Sequence, residues 1–413
     1  MRNPSIDRQL VAVTFGLILF GLATLYSAGQ TDVPTRAAGA WERQIMWVGI
    51  GVVAAWIIFH LSLRVLEWVA PALYAFSLLL LGIVLLVGTG AGTAESSHSW
   101  LSVGGHQIGQ PSELAKVATV LMLARFLSGR KEAPRSLRDL IAPSLIVGVP
   151  CLLVLKQPDL GSALVFIGIY FAMLFWAGVR PRMLFLLASP VISLLLAFNT
   201  LAWSFWMIIF VLILIAWRPY VWDWVVFLTA NVAMGAVAMP LWKRLAPYQQ
   251  NRLLTFLNPE VDPRAAGYHA IQSRVAIGSG GWFGTGYTEG PQKRLAFLPE
   301  QHTDFVFSVV GEELGFVGVL VALSLFLGLF LVLLRIARRA TDPFSSLAVF
   351  GIVGLFFTHV FENVGMTVNL MPITGIPLPL FSYGGSFFII CSLCLGLALR
   401  VAWDSRQSGY ADT

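Results

Sequence analysis

The sequence predicts an all-α polytopic membrane protein, a bundle of about 10–12 transmembrane helices with one large extracytoplasmic loop, and three observations carry that prediction. Of 413 residues, 57% are hydrophobic and 12% charged, roughly half the charge of an ordinary soluble domain, so lipid is the solvent that suits this composition. Stretches such as 10–28, 45–61 and 319–334 each supply the apolar length that crosses a bilayer, with hardly a charge inside. Arginine and lysine gather in alternate connections between such stretches, as the orientation bias of membrane proteins requires.

In chain order the spans are expected near 10–28, 44–62, 69–88, 111–128, 139–156, 159–177, 182–199, 202–217, 222–241, 305–334, 344–362 and 379–402. The first is read as a span and not a cleaved signal. It is long, no convincing small-residue cleavage pattern follows Tyr26 and Ser27, and further spans come directly after it. With a cytoplasmic N-terminus, the inside connections collect Arg2, Arg8, Arg64, the run from Arg125 to Arg138, Arg180, Arg182, Arg218, the run from Arg335 to Arg339, Arg400 and Arg406. The short outside connections hold only Arg36 and Arg43. Both termini then lie in the cytoplasm, residues 403–413 form a short tail, and residues 242–304 lie outside, all within a single transmembrane domain spanning 1–413.

The net charge of +6 is explained by these inter-span arginines, so nucleic acid binding is not indicated. Cys151, Cys391 and Cys394 all sit in apolar stretches and imply no disulfide framework; the spacing of the last two is redox-like, but packing is the reading their surroundings favour.

Three outside segments stand out. Residues 242–304 carry Lys243, Arg244, Arg252, Arg264, Arg274, Lys293 and Arg294 against the usual bias, which fits either a lid of mixed charge or an anion site. The glycines between Gly278 and Gly290 lack the spacing and Lys-Ser/Thr ending of a nucleotide loop. Residues 88–110 lead into Pro111, Ser112, Glu113 and Lys116; the last two, three apart, share one inward helix face, as a structural ion pair or as the lining of a polar cavity. Residues 362–380 are rich in proline and glycine, which at membrane depth marks helix ends that line a protein cavity. One vestibule is expected, suited to a lipid-linked substrate with an anionic head.

The run Phe297-Leu298-Pro299-Glu300-Gln301-His302-Thr303-Asp304-Phe305, followed by Glu312-Glu313-Leu314-Gly315, resembles the signature of the SEDS family of shape, elongation, division and sporulation proteins. The likeness extends through Gln110-Pro111-Ser112-Glu113 with Lys116, Gln157-Pro158-Asp159-Leu160-Gly161, Asn251-Arg252, Gly267-Tyr268-His269 and Ser382-Tyr383-Gly384-Gly385-Ser386, covering nearly the whole chain. Asp262-Pro263 and Met371-Pro372-Ile373-Thr374-Gly375-Ile376-Pro377 look more like the elongation branch than the division branch, where lysine tends to stand in place of Thr374. The resemblance implies polymerisation of the cell-wall precursor lipid II on the outer face of the bacterial cytoplasmic membrane, with a class B penicillin-binding protein as transpeptidase partner. Two departures stand out: Ser99 precedes Trp100 where the family usually has arginine, and 182–241 holds three spans where one is common, suggesting a two-helix insertion.

Such a reaction joins a sugar hydroxyl to an anomeric carbon whose leaving group is a lipid diphosphate. It needs one general base and, because diphosphate leaves readily, positive charge in place of a second acid. The resemblance places the catalytic aspartate at Asp304; its residue-level alternative is a helix N-cap. Lys116 and Arg252 are expected to face the diphosphate, with Arg274 and Lys293 behind them, each otherwise a solvated charge. Trp100 stacks on a sugar or anchors at the interface, His302 orients Asp304 or simply packs, and at least one of Glu312 and Glu313 needs a buried partner. No ligand cluster specifies a metal; a divalent cation, Mg or Mn, would have to be shared between Asp304 or Glu300 and the phosphates. The rival readings are a lipid II flippase and a non-catalytic scaffold.

Overall fold

The computed structural model describes residues 6–88, 99–103, 106–217, 220–245, 247–257, 266–298 and 300–411. In chain order the helices are α1 (Arg8–Ala28), α2 (Ala40–His60), α3 (Leu63–Val87), α4 (Pro111–Ser128), α5 (Leu137–Lys156), α6 (Leu160–Trp176), α7 (Pro181–Leu196), α8 (Thr200–Trp217), α9 (Val221–Arg244), α10 (Pro247–Leu257), α11 (Ala266–Ser279), α12 (Pro291–Arg294), α13 (Val306–Arg339), α14 (Pro343–Thr367) and α15 (Gly385–Ala411). Every expected span is a helix. Among the described residues, nine helices are long and apolar enough to cross a membrane, with α6 and α7 shorter apolar helices beside them. The chain is an integral membrane protein of helices.

Several helices begin at side chains that satisfy their free backbone donors. Asp7 Oδ1 accepts from Leu10 N at 3.0 Å, Asp159 Oδ1 from Ser162 N at 2.9 Å and Asp342 Oδ1 from Ser345 N at 2.9 Å. Asp7 also pairs with Arg335 at 2.7 Å and with Arg406, so one buried carboxylate ties α1, α13 and α15 together at the arginine-rich end of the bundle.

The interior belongs to α14 and α15, whose apolar windows are each 67% buried, against 11% for α2 and α8. Close approach explains how α14 gets there. A Cβ on Gly354 would lie 2.6 Å from Ala172 of α6, and one on Gly351 2.6 Å from Val120 of α4. In lipid, such small-residue contacts replace the hydrophobic drive that packs helices in water.

The segment 182–241 folds as α7–α9 around its own small core of Leu186, Phe210, Leu214 and Phe227. A buried polar knot joins the three helices: Asn231 Nδ2 donates to Ser189 Oγ at 2.8 Å, while Trp203 Nε1 donates to Ser193 Oγ at 2.8 Å and Trp206 Nε1 to Asn231 Oδ1 at 3.3 Å.

Four features depart from the sequence reading. Part of the loop at 88–110 is an antiparallel hairpin, β1 (Leu101–Val103) and β2 (His106–Gly109). The last helix begins at Gly385 and not near 379, because Leu380 takes a positive φ of 63° and Ser382 Oγ accepts from Leu378 N at 2.9 Å, closing a turn. The expected continuous helix after 305 is broken at Gly315, whose φ of 60° and ψ of −158° are not helical. Residues 242–304, read as a large loop, hold α10, α11 and α12.

Candidate active site

The site is built on a tight turn. Glu300 adopts a positive φ of 48°, and its carbonyl accepts from the backbone N–H groups of Thr303 and Asp304 at 3.1 Å and of Phe305 at 3.3 Å. The turn places Asp304 just before α13, half-buried. The N-cap position belongs to Phe305, one residue later, which sets aside the alternative reading of Asp304 as a helix cap. Asp304 Oδ2 lies 3.2 Å from where a Cβ on Gly375 would stand, and Gly375 has a φ of 71°, so a residue without a side chain is needed there on two counts.

One face of α14 holds the loop that meets Asp304. His359, Glu362 and Asn363 are spaced i, i+3, i+4 and so share that face. Asn363 Nδ2 donates to the carbonyls of Asp304 at 2.9 Å and Ile376 at 2.7 Å. Thr374 Oγ1 donates to Glu362 Oε2 at 3.4 Å, and His359 Nδ1 lies 3.1 Å from the Pro377 carbonyl. The loop is thus held by three side chains of one helix, through the Thr374 hydroxyl and the backbone carbonyls of Ile376 and Pro377.

Beneath it lies a buried charged cluster. Lys116, 2% exposed, places Nζ 3.4 Å from His359 Nε2. With His359 Nδ1–H donating to Pro377, the Nε2 lone pair faces the ammonium. Asp159, Glu113 and Glu362 supply the negative charge around Lys116. Glu113 hydrogen-bonds to Ser386 of α15, and Gln110 Nε2 donates to Asp159 Oδ2 at 2.7 Å. Glu113 and Lys116 therefore share the inward face, where His359 lies within hydrogen-bond distance of the ammonium and the carboxyl groups of Asp159, Glu113 and Glu362 belong to the same cluster. Trp100 stands half-buried at the start of the hairpin, whose second strand meets α15: a Cβ on Gly109 would lie 3.4 Å from Ser386.

A second buried cluster corrects one expectation. Lys293 is not turned toward substrate; it is 0% exposed, with Nζ 2.7 Å from Glu313 Oε1. It also donates to Ser27 Oγ and the Thr288 carbonyl, each at 3.1 Å, while Ser27 Oγ donates to Glu313 Oε2. Glu312 accepts from the backbone N–H of Gln292 at 2.7 Å and of Lys293 at 3.2 Å. A lysine here has a buried carboxylate within reach and so satisfies Glu313, which α13 carries into the interior.

His302, largely buried, turns its ring to Tyr383, with centroids 5.5 Å apart, and lies 4.0 Å from Glu300; its carbonyl accepts from Tyr383 N at 2.9 Å. Burial holds its imidazole below the ordinary range; Glu300 opposes this, and Arg43 and Arg36 add to it. Arg274 is exposed on α11, next to Ser273, which is buried and donates to the Thr367 carbonyl at 2.7 Å. Arg252 lies on α10, with its side chain outside the described set.

The sequence reading did not name Arg36, Arg43, Asp159, His359, Glu362 or Asn363 as site residues. Arg36 lies 4.0 Å from Glu300, and Arg43 sits over the Tyr383 ring at 5.5 Å. A signal for most of them was present: the two arginines of the short connection after the first span, and ionisable side chains at membrane depth. Among the described residues no group of three His, Cys, Asp or Glu side chains converges as metal ligands.

The fold and site define a class: a polytopic membrane protein with a half-buried carboxylate where its loops meet, above a charged interior. A family model described as cell cycle protein, covering FtsW, RodA and SpoVE, matches residues 8–206 and 191–407, and the chain belongs to this family. The two matches overlap at residues 191–206, within α7 and α8. The chain is 36% identical to peptidoglycan glycosyltransferase RodA of Treponema pallidum, over 97% of this chain and 98% of that one. It is 33% identical to peptidoglycan glycosyltransferase MrdB of Escherichia coli K12, over 96% and 93%. Among solved structures it resembles a chain of a peptidoglycan synthase complex described as coordinating polymerization and crosslinking, at a TM-score of 0.70 and 33% identity over 98% and 99%. It also resembles the rod shape determining protein RodA of Thermus thermophilus, at 0.62 and 30% over 97% of each.

Proposed function

We propose that the chain is a peptidoglycan glycosyltransferase of the RodA type, polymerising lipid II on the outer face of the cytoplasmic membrane during cell elongation, with Asp304 as general base. The observation that carries this reading is the placement of Asp304: a half-buried carboxylate lifted by the Glu300 turn and steadied by Asn363 at the meeting point of the loops. The names of the relatives support the reaction class.

In the proposed reaction Asp304 accepts the proton of the acceptor hydroxyl as that oxygen bonds to the donor's anomeric carbon. The anomeric bond to the lipid diphosphate breaks, its electron pair leaves with the phosphate oxygen, and the configuration inverts. Arg36 and Arg43, beside the same turn, with Arg252 and Arg274 on α10 and α11, supply positive charge for the leaving diphosphate. Lys116 and Glu113 set the charge of the interior below, and Trp100 offers an aromatic face to a sugar. A divalent ion, Mg or Mn, would draw most of its ligands from the diphosphate itself, because the described residues offer no ready cluster. A class B penicillin-binding protein would cross-link the emerging strands.

The test is polymerisation of lipid II by the purified chain, with and without that partner. Asp304→Ala should abolish glycan strands while the protein still folds and binds lipid II; retained polymerisation would refute the assignment. Transfer of precursor across sealed vesicles that survives Asp304→Ala would instead favour a flippase.

A further inference from the structure

We infer that the Lys293–Glu313–Ser27 group, with Glu312 beside it, is a clamp that fixes residues 287–304 on the bundle and thereby positions Asp304. The inference rests on the reading of Asp304 as the reacting carboxylate, but the clamp is defined by contacts of its own.

It begins with the break in α13. At Gly315 the helix loses its ladder, which leaves the carbonyls of Glu312 and Glu313 and the N–H groups of Phe316 and Val317 in need of partners. The glycine segment supplies all four. Thr285 N donates to the Glu312 carbonyl at 2.9 Å and Gly286 N to the Glu313 carbonyl at 3.2 Å, while Phe316 N donates to Gly281 O at 2.9 Å and Val317 N to Trp282 O at 3.1 Å. The side chains of the same two glutamates then take hold of the next stretch: Glu312 through the N–H groups of Gln292 and Lys293, Glu313 through the Lys293 ammonium.

Ties to α1 and the loop after it complete the clamp. Tyr287 Oη donates to the Ala23 carbonyl at 2.8 Å, Arg294 pairs with Asp32 at 3.1 Å, and Gln301 Nε2 donates to the Ala28 carbonyl at 2.8 Å. Contacts at 287, 292, 293, 294 and 301 hold this stretch, and Asp304 follows three residues after the last. A fully buried ion pair is a poor source of stability compared with apolar packing, so its usefulness lies in defining one arrangement. The lysine reaches Glu313 only when α12 is in its place against α1 and α13. Lys293 and Glu313 act through position; neither is a catalytic residue.

The experiment compares Lys293→Met and the charge-exchanged pair Lys293→Glu with Glu313→Lys in the full-length protein, reading amide hydrogen exchange across 287–304 and lipid II polymerisation kinetics. For Lys293→Met we expect faster exchange confined to that segment and a fall in kcat of roughly 10–100-fold with KM within about twofold, the signature of a misplaced reacting group. The exchanged pair should recover most of both. Unchanged exchange overturns the clamp, and so does a raised KM at unchanged kcat, which would place Lys293 on the substrate. Should Lys293→Met fail to accumulate as folded protein, Ser27→Ala carries the same comparison: local exchange and kcat must change together, and wild-type behaviour overturns the clamp. An active Asp304→Ala would remove the base assignment, yet the exchange measurements would still decide the clamp.

Discussion

Gly284 offers a direct probe of how the broken helix is filled. Its φ is 83°, and a Cβ built on it would stand 1.9 Å from the Glu313 carbonyl oxygen and 2.2 Å from the carbonyl carbon. In Gly284→Ala the left-handed backbone alone costs about 1–2 kcal/mol. Forcing a methyl against backbone that cannot swing aside adds about 1–3 kcal/mol. The total is roughly 2–5 kcal/mol, a large share of a typical folding stability. Gly278 is the internal control: it lies in α11 with nothing within 4 Å of its Cβ position. Gly278→Ala should change stability by between zero and about 1 kcal/mol, in the stabilising direction, because alanine favours helix. Thermal unfolding of both variants in detergent decides the matter. If Gly284→Ala unfolds at the wild-type midpoint, or Gly278→Ala falls as far as Gly284→Ala, the packing of the glycine segment against the Gly315 break is wrong.

Two further outcomes follow from the site. Asn363→Leu keeps the volume but leaves the carbonyls of Asp304 and Ile376 without their donor; we expect about 1–3 kcal/mol lost for each unpaired group, read by thermal unfolding, together with a lower polymerisation rate. His302 is held below its ordinary range chiefly by burial. The unfolded chain therefore binds the proton first as pH falls, and stability should drop once pH passes below about 6.5 toward the lower folded value. In His302→Gln that part of the acid sensitivity should vanish; an unchanged pH–stability profile would contradict it.

How much of this was legible in the chain itself depends on the range of the interactions involved. The spans follow from a local rule, apolar length, and caps such as Asp7, Asp159 and Asp342 are equally local, so each span was readable from its own sequence, while α10, α11 and α12 were not. The turn before α15 and the break at Gly315 were missed, because an apolar stretch with one glycine reads as continuous helix until another segment supplies the broken bonds. The hairpin at 101–109 is short and leaves too little pattern to register.

For the site, sequence settled which residue types stand at membrane depth, since an ionisable group there must have a partner, whichever it is. It did not settle the partners. Lys293 read as a diphosphate contact or a solvated charge, and Glu312 and Glu313 as a pair of which at least one needs a buried partner, yet which partner it is rests on contacts spanning up to 286 positions. Asp304 keeps its place because its neighbours hold its backbone. Composition and local spacing fixed which groups could carry charge in this bundle. Only the packing of α1, α13, α14 and the glycine segment decided which charges neutralise one another, because Coulomb and hydrogen-bond energies depend on distances that chain order does not contain.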